Sequence, residues 1–207
     1  MDEHEAAAIE AESKAVALYS LSWEAGTGAI VWARAVQDVL ALHETARDQY
    51  AAKTVDLEAF LRLHATALML VVAIDQVLIF ERRIRQLTGD PELARARKRF
   101  DTVCPDAEAL RDLVAHQDDY ALEKGRRQTG KPNYPPLKEP YLDTFIRWGN
   151  GGGTILDMAG ESINLRAAAS AANDLAELAE RVRAKHLHRV QREANASRRR
   201  HYGLPPE

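Results

Sequence analysis

The sequence predicts an all-α fold: a helical bundle with a small β-hairpin inserted before its last long helix. Three observations carry that prediction. Apolar residues recur at helical spacing through most of residues 6–128 and again over 165–194. Capping and stopping residues bound those stretches. Between them, at about 129–164, proline and glycine displace the helical pattern and flank short β-favouring runs. At 207 residues the chain reads as one domain, 1–207, long enough to bury a substantial core.

Taken in order, alanine-rich, charge-studded sequence covers 6–23 and resumes over 30–53. The intervening Glu24-Ala25-Gly26-Thr27-Gly28-Ala29 reads either as a break or as a glycine-softened close contact with a neighbouring helix. The longest helix is predicted over 54–89, with Thr54 or Asp56 as N-cap and Gly89 at its C-terminal end. Its most apolar run, Ala67 to Ile74, is shorter than the roughly 20 residues of a membrane-spanning helix, which assigns it to the centre of the bundle and predicts no membrane partner. Asp90-Pro91 restarts the chain as a short basic helix over 92–100. Pro105-Asp106 opens the next helix, with Asp106 as N-cap. Four prolines within 129–141 exclude helix there. Residues 143–158 then place two β-favouring runs around Gly149-Asn150-Gly151-Gly152-Gly153, a hairpin signature, and 159–165 add a short third strand. Helix resumes over 165–194, and about 195–207 read as a flexible basic tail.

Composition excludes several classes. Hydrophobic residues make up 46% and charged residues 29%, a globular rather than a disordered balance. The single cysteine, Cys104, rules out an internal disulfide and a thiolate metal cluster and suits a reducing, cytoplasmic setting. A formal charge of −3 neither demands nor forbids a nucleic-acid partner. Its distribution is uneven: Asp2, Glu3, Glu5, Glu10 and Glu12 make the start acidic, while residues 181–200 carry eight Lys/Arg against one Glu.

The chemistry-bearing stretch is "ALRDLVAHQDDYALEKG", residues 109–125. On an ideal helix with about 100° per residue, Leu110, Leu113, Val114, Gln117 and Ala121 share one arc, the predicted core stripe. His116 lies well off it. Asp112, His116, Asp119 and Glu123 follow one another at spacings where helix side chains meet, so Asp112 can accept an imidazole N–H and fix its tautomer. Arg111 is turned from His116 by about 140° and displaced by roughly 7.5 Å along the axis. The two heads flank a position rather than converge on it, and a second copy related by a two-fold axis would supply the convergence.

Arg111-Asp112, three further residues and His116 resemble the signature of the HEPN superfamily (higher eukaryotes and prokaryotes nucleotide-binding), in which an Arg followed by a polar residue precedes a His by four to six positions. About fifteen residues carry the motif; Arg181/His186 and Arg183/His188 repeat the bare spacing in the last helix without its context. The resemblance implies a HEPN-like helical bundle, a homodimer with both motifs lining one cleft, and metal-independent endoribonuclease activity of a toxin or phage-defence effector. An antitoxin protein is the implied partner of a toxin. Other members are non-catalytic nucleotide- or RNA-binding modules, which remains the alternative together with a helical protein-interaction role. Tyr120 lies four residues after His116; in the variant whose tyrosine is nucleotidylated it lies two after.

RNA cleavage by its own 2′-hydroxyl needs a proton-moving group and a cation on the phosphoryl oxygens, but no metal or cofactor. Imidazole, which titrates near neutrality, suits the first task, and guanidinium the second. The assignment is His116 as general acid/base or 2′-hydroxyl positioner, Arg111 as phosphate clamp and Asp112 as orienter, with Asp119 and Tyr120 in support. Asp112, Asp118, Asp119 and Glu123 would repel RNA, so Lys124, Arg126, Arg127 and Lys131 are the expected counter-charge and RNA-binding residues. Other features read as structural: His186 and His188 point to different helix faces, the glycine run lacks a phosphate-loop setting, and Glu81-Arg82-Arg83 reads as surface charge. Asp75 and Gln76, interrupting the apolar helix, are either buried groups with partners or residues facing a dimer cleft.

Overall fold

The computed structural model describes residues 3–52, 56–122, 124, 125, 127, 136–138, 144–149 and 153–202. Helices α1 (Glu3–Ala52), α2 (Leu57–Thr88), α3 (Pro91–Val103), α4 (Ala107–Ala115) and α5 (Gln117–Ala121) precede strands β1 (Thr144–Trp148), β2 (Thr154–Met158) and β3 (Glu161–Asn164), and α6 (Leu165–His201) closes the chain. The fold is therefore mostly helical, with a small antiparallel sheet before the last helix. That last helix runs on to His201, so residues 195–201 are helical rather than part of a flexible tail.

Local chemistry sets these boundaries. Asp56 caps α2 by accepting from the backbone N–H groups of Glu58 and Ala59 at 3.0 and 3.2 Å, and Gly89, at φ 63°, ends it in the left-handed conformation. Asp90 caps α3 with Pro91 in its first turn. Asn164 accepts from Ala167 N–H at 3.0 Å to start α6. Asp106 occupies the N-cap position of α4 but makes no side-chain cap bond. Its carboxylate instead accepts from Ser162 N–H of β3 at 3.0 Å and from Lys138 Nζ, in the segment before β1, at 2.8 Å.

α1 is the spine. It pairs along one side with α2, through Phe80 beside Gly28 and Tyr50 beside Phe60, and along another with α6, through Arg183 beside Gly26 and Arg166 on Glu44. Both neighbours run antiparallel to it. The two glycines do not break the helix. They mark close approach: a Cβ on Gly28 would lie 2.3 Å from Phe80 Cε1, and one on Gly26 would lie 2.0 Å from Arg183 Cδ. The core unites Ala25, Ala29 and Val36 of α1 with Leu70, Ile74 and Leu78 of α2 and Ala168, Ala172 and Leu175 of α6. By length and composition α2 is also apolar enough to cross a membrane, and 56% of its most apolar window is buried in the bundle.

His43 on α1 is buried, with Nδ1 3.1 Å from Thr66 Oγ1 on α2. Burial lowers its pKa, since the imidazolium loses its hydration. The unfolded chain therefore takes up this proton first as pH falls below about 6.5, and His43 subtracts from stability over the window between that value and its lowered folded one, by at most about 1.4 kcal/mol per pH unit. Thermal melts should show that wild type loses more stability between pH 7.5 and pH 5 than His43→Gln, which cannot protonate; parallel curves would remove His43 from the acid response.

The sheet order is β1-β2-β3, both pairs antiparallel, with Ile146 opposite Leu156 and Leu156 opposite Ile163. β2 buries Thr154, Leu156 and Met158 and β3 buries Glu161 and Ile163, the alternation of a half-buried sheet. The β2–β3 turn has Ala159 and Gly160 at φ 51° and 77°, a primed turn whose twist suits a hairpin. In the β1–β2 connection, residues 150–152 lie outside the described residues, and Gly149 N–H donates to Gly153 O at 2.7 Å.

Candidate functional site

The predicted single helix through 109–125 is interrupted at the histidine. α4 ends at Ala115, His116 adopts φ −123° and ψ 30°, and α5 follows. Backbone bonding persists across the junction, from His116 N–H to Asp112 O at 3.1 Å and from Tyr120 N–H to His116 O at 3.0 Å, but the axis turns. Leu110 and Leu113 are fully buried as the stripe requires. Beyond the turn the stripe fails: Gln117 is exposed, and Tyr120 takes the inward place at 1% exposure. The side chains of Asp118, Ala121 and Glu123 lie outside the described residues.

Tyr120 organises the turn. Its hydroxyl donates to Asp112 Oδ2 at 2.7 Å, and its ring lies against Gly125, where a Cβ would come within 2.2 Å of Cδ1. Burial, then the Asp112 carboxylate, pushes the phenol up to about 12. Asp112 is itself buried, with Oδ1 3.9 Å from His116 Nε2. That is an ion-pair distance, too long for a hydrogen bond. Asp112 thus anchors Tyr120 directly and faces His116 only at range. The other imidazole nitrogen, Nδ1, lies 3.6 Å from Asp119 Oδ2, so His116 sits between two carboxylates with its side chain 30% exposed.

Arg111 points elsewhere. Its Nε lies 3.2 Å from Asp75 Oδ1 on α2, with the Arg111 side chain 37% exposed and that of Asp75 10%. Desolvation raises the Asp75 pKa, partly countered by Arg111. The open question at Asp75 resolves as a buried group with a partner. One turn before Arg111, Glu108 is already bound by Arg82 at 3.0 Å and Arg97 at 2.7 Å. Glu81 is fully buried beside Arg85 at 2.8 Å and Arg97 at 3.7 Å, so only Arg82 and Arg83 of the Glu81-Arg82-Arg83 run are surface charges.

The expected counter-charge divides. Lys124 is exposed, whereas Arg126 and Lys131 lie outside the described residues. Arg127 is buried and pairs with Glu161, donating also to Pro136 O at 2.9 Å; it ties the sheet to α4 and α5 rather than facing RNA. Lys138 bridges Glu161 at 2.7 Å and Asp106 at 2.8 Å. A continuous polar network therefore links the inserted sheet to the turn that carries His116, through Glu161, Arg127 and the Arg127 N–H, which lies 3.4 Å from the Tyr120 hydroxyl.

No family model matches the chain, and neither does any curated protein or solved structure. The chemistry of the site must therefore be argued from its own groups. Among the described residues no three His, Cys, Asp or Glu side chains gather as a metal site. Of the features treated as structural, His186 is buried and His188 exposed on α6, in keeping with their different faces. Sequence reasoning missed two partners, Asp75 for Arg111 and Glu161 for Arg127. The first had a signal: an acid set within an otherwise apolar helix needs a cation.

Proposed function

We propose that the chain is a metal-independent endoribonuclease of HEPN type that works as a homodimer, as a toxin or phage-defence effector in the cytoplasm. The observation that carries this reading is the pair of part-exposed heads on one turn of chain, Arg111 fixed on Asp75 and His116 held between Asp112 and Asp119. Within one protomer they are drawn in different directions. The outward face of α2 favours a second copy: Leu61, Ala65, Met69 and Val72 are exposed at helical spacing, and Asp75 follows Val72 by one turn. If two copies pair along that line with their α2 helices running the same way, their Arg111 side chains would lie along one seam.

In the proposed step His116 takes the 2′-hydroxyl proton and the freed oxygen attacks the adjacent phosphorus. The P–O5′ bond breaks, and the second copy's imidazolium protonates the leaving 5′-oxygen. The products are a 2′,3′-cyclic phosphate and a 5′-hydroxyl. Arg111 offsets the charge that grows on the non-bridging oxygens.

A second reading is favoured by the burial of Arg127 and the carboxylates around His116: a non-catalytic nucleotide- or RNA-binding module, or a helical interaction protein. The experiment that separates them incubates the purified chain with single-stranded RNA in EDTA and measures its mass in solution. The nuclease reading expects cleavage to persist, at twice the 23.1 kDa chain mass, and to fall at least about a hundredfold in Arg111→Ala. RNA retention without turnover would favour the module, and a monomer would defeat the shared site.

A further inference from the structure

We propose that Asp75 is the positioning residue for Arg111, gripping the guanidinium by its Nε edge so that the outer nitrogens are presented to a phosphate of the RNA. The inference rests on the nuclease reading above and adds to it a residue on a different helix.

Three observations carry it. Asp75 stands in the middle of the apolar run of α2, 8% exposed between Ile74 and Val77, both buried. A carboxylate there is costly to desolvate, and a buried ion pair is a poor way to stabilise a helix whose inner face is packed by leucine, isoleucine and valine. Its placement is better explained by what it holds. Next, the contact is an ion pair at Nε, 3.2 Å from Oδ1, in which the buried Nε–H is not aligned as a hydrogen bond. A guanidinium is planar and rigid, so a buried anion beside that edge biases the direction of the whole fork by charge, while Arg111 keeps 37% of its side chain exposed. Lastly, the competing acid is occupied. Glu108, three residues before Arg111 on α4, is bound by Arg82 and Arg97, and among the described residues Asp75 is the ion-pair partner of Arg111. The same two contacts set α4 antiparallel to α2, since Glu108 meets Arg82 and Arg111 meets Asp75 seven residues earlier.

Asp75 touches no reacting atom; it acts through Arg111. Losing the grip leaves the charge in place but lets the fork rotate, and a misplacement of about 1 Å costs up to about a hundredfold in rate. The test compares wild type, Asp75→Asn, Asp75→Glu and Arg111→Ala in steady-state cleavage of an RNA oligonucleotide, with melting midpoints recorded for each. Asp75→Asn is expected to lower kcat by about ten- to a hundredfold with KM changed far less, in protein that remains folded at the assay temperature. Asp75→Glu, which restores the carboxylate, should recover part of the loss. Adding Asp75→Asn to Arg111→Ala should lower the rate no further. Wild-type kcat in Asp75→Asn, alongside an Arg111→Ala reduced to a residual rate, overturns the positioning role and leaves the nuclease standing. A further loss in the double variant, or a fall in all variants that tracks melting alone, overturns it as well. Wild-type protein that cuts no RNA removes the nuclease reading and the positioning role with it.

Discussion

Replacing His116 by alanine should lower RNA cleavage by about 10²- to 10⁴-fold, equivalent to roughly 3–5 kcal/mol of transition-state stabilisation, without unfolding the chain. The size follows from the role. Attack by a 2′-hydroxyl requires the proton to leave as the oxygen–phosphorus bond forms, and the acidic side chains nearby are poorly matched to that task. Asp112 is committed to the Tyr120 hydroxyl at 2.7 Å, and Asp119 is an exposed carboxylate on the far edge of the ring. Among the described residues no second group stands ready to replace the imidazole. The fold should survive because His116 contributes little to it. Its side chain is part-exposed, its ion-pair distances are 3.6 and 3.9 Å, and its backbone, at φ −123° and ψ 30°, is open to alanine. Single-turnover cleavage in EDTA, with circular dichroism on the same samples, reads both parts. Wild-type rates in folded His116→Ala would remove the imidazole from the mechanism. Because each shared cleft would hold two copies of the motif, mixing His116→Ala with Arg111→Ala protein should restore some cleavage if the groups act across the seam.

How much of this was legible beforehand depends on what each residue answers to. Asp56, Gly89, Asp90 and Asn164 act on their own backbone within a few residues, so local chemistry was enough to place both ends of α2 and the starts of α3 and α6, whereas α3 and α6 run on past their expected ends to Val103 and His201. The hairpin was equally local, carried by two β-favouring runs and a glycine-rich link. The glycines at 26 and 28 left two readings open, and only the opposing Arg183 and Phe80 decide for close contact. Within the site, ideal helix geometry located the Leu110–Leu113 stripe but not the turn at His116. That turn depends on Tyr120 being drawn inward by Asp112 and seated against Gly125, a tertiary arrangement that a 100° step cannot anticipate. Asp106 and Arg127 were misread for the same reason. Each has an ordinary local role, as cap or as surface cation, and each is taken over by a partner more than 30 residues away, Ser162 and Glu161.

Glu161→Leu should destabilise the protein by about 3–5 kcal/mol, or roughly 6–20 °C in melting midpoint for a chain of this size. The asymmetry of buried pairs sets the direction. Glu161 is 2% exposed and the Arg127 side chain 4%; replacing the carboxylate removes a buried counter-charge from a guanidinium that cannot shed its own, while the Pro136 carbonyl at 2.9 Å remains. Lys138 fares better, because it is half-exposed and keeps Asp106 at 2.8 Å. Arg127→Met should cost less than Glu161→Leu, since the carboxylate left behind still has Lys138 at 2.7 Å. Combining the two removes both charges and should recover most of the loss. The damage is also expected to travel. Arg127 N–H lies beside the Tyr120 hydroxyl, which holds Asp112, which faces His116. A chain that loses Glu161 should therefore loosen the turn that carries His116 before the α1–α2–α6 core melts, and hydrogen exchange at residues 112–120 should rise at temperatures where the core amides remain protected. Equal protection at both places, or a melting midpoint within about 2 °C of wild type, would mean that the sheet and the Arg–His turn are independent parts of the fold.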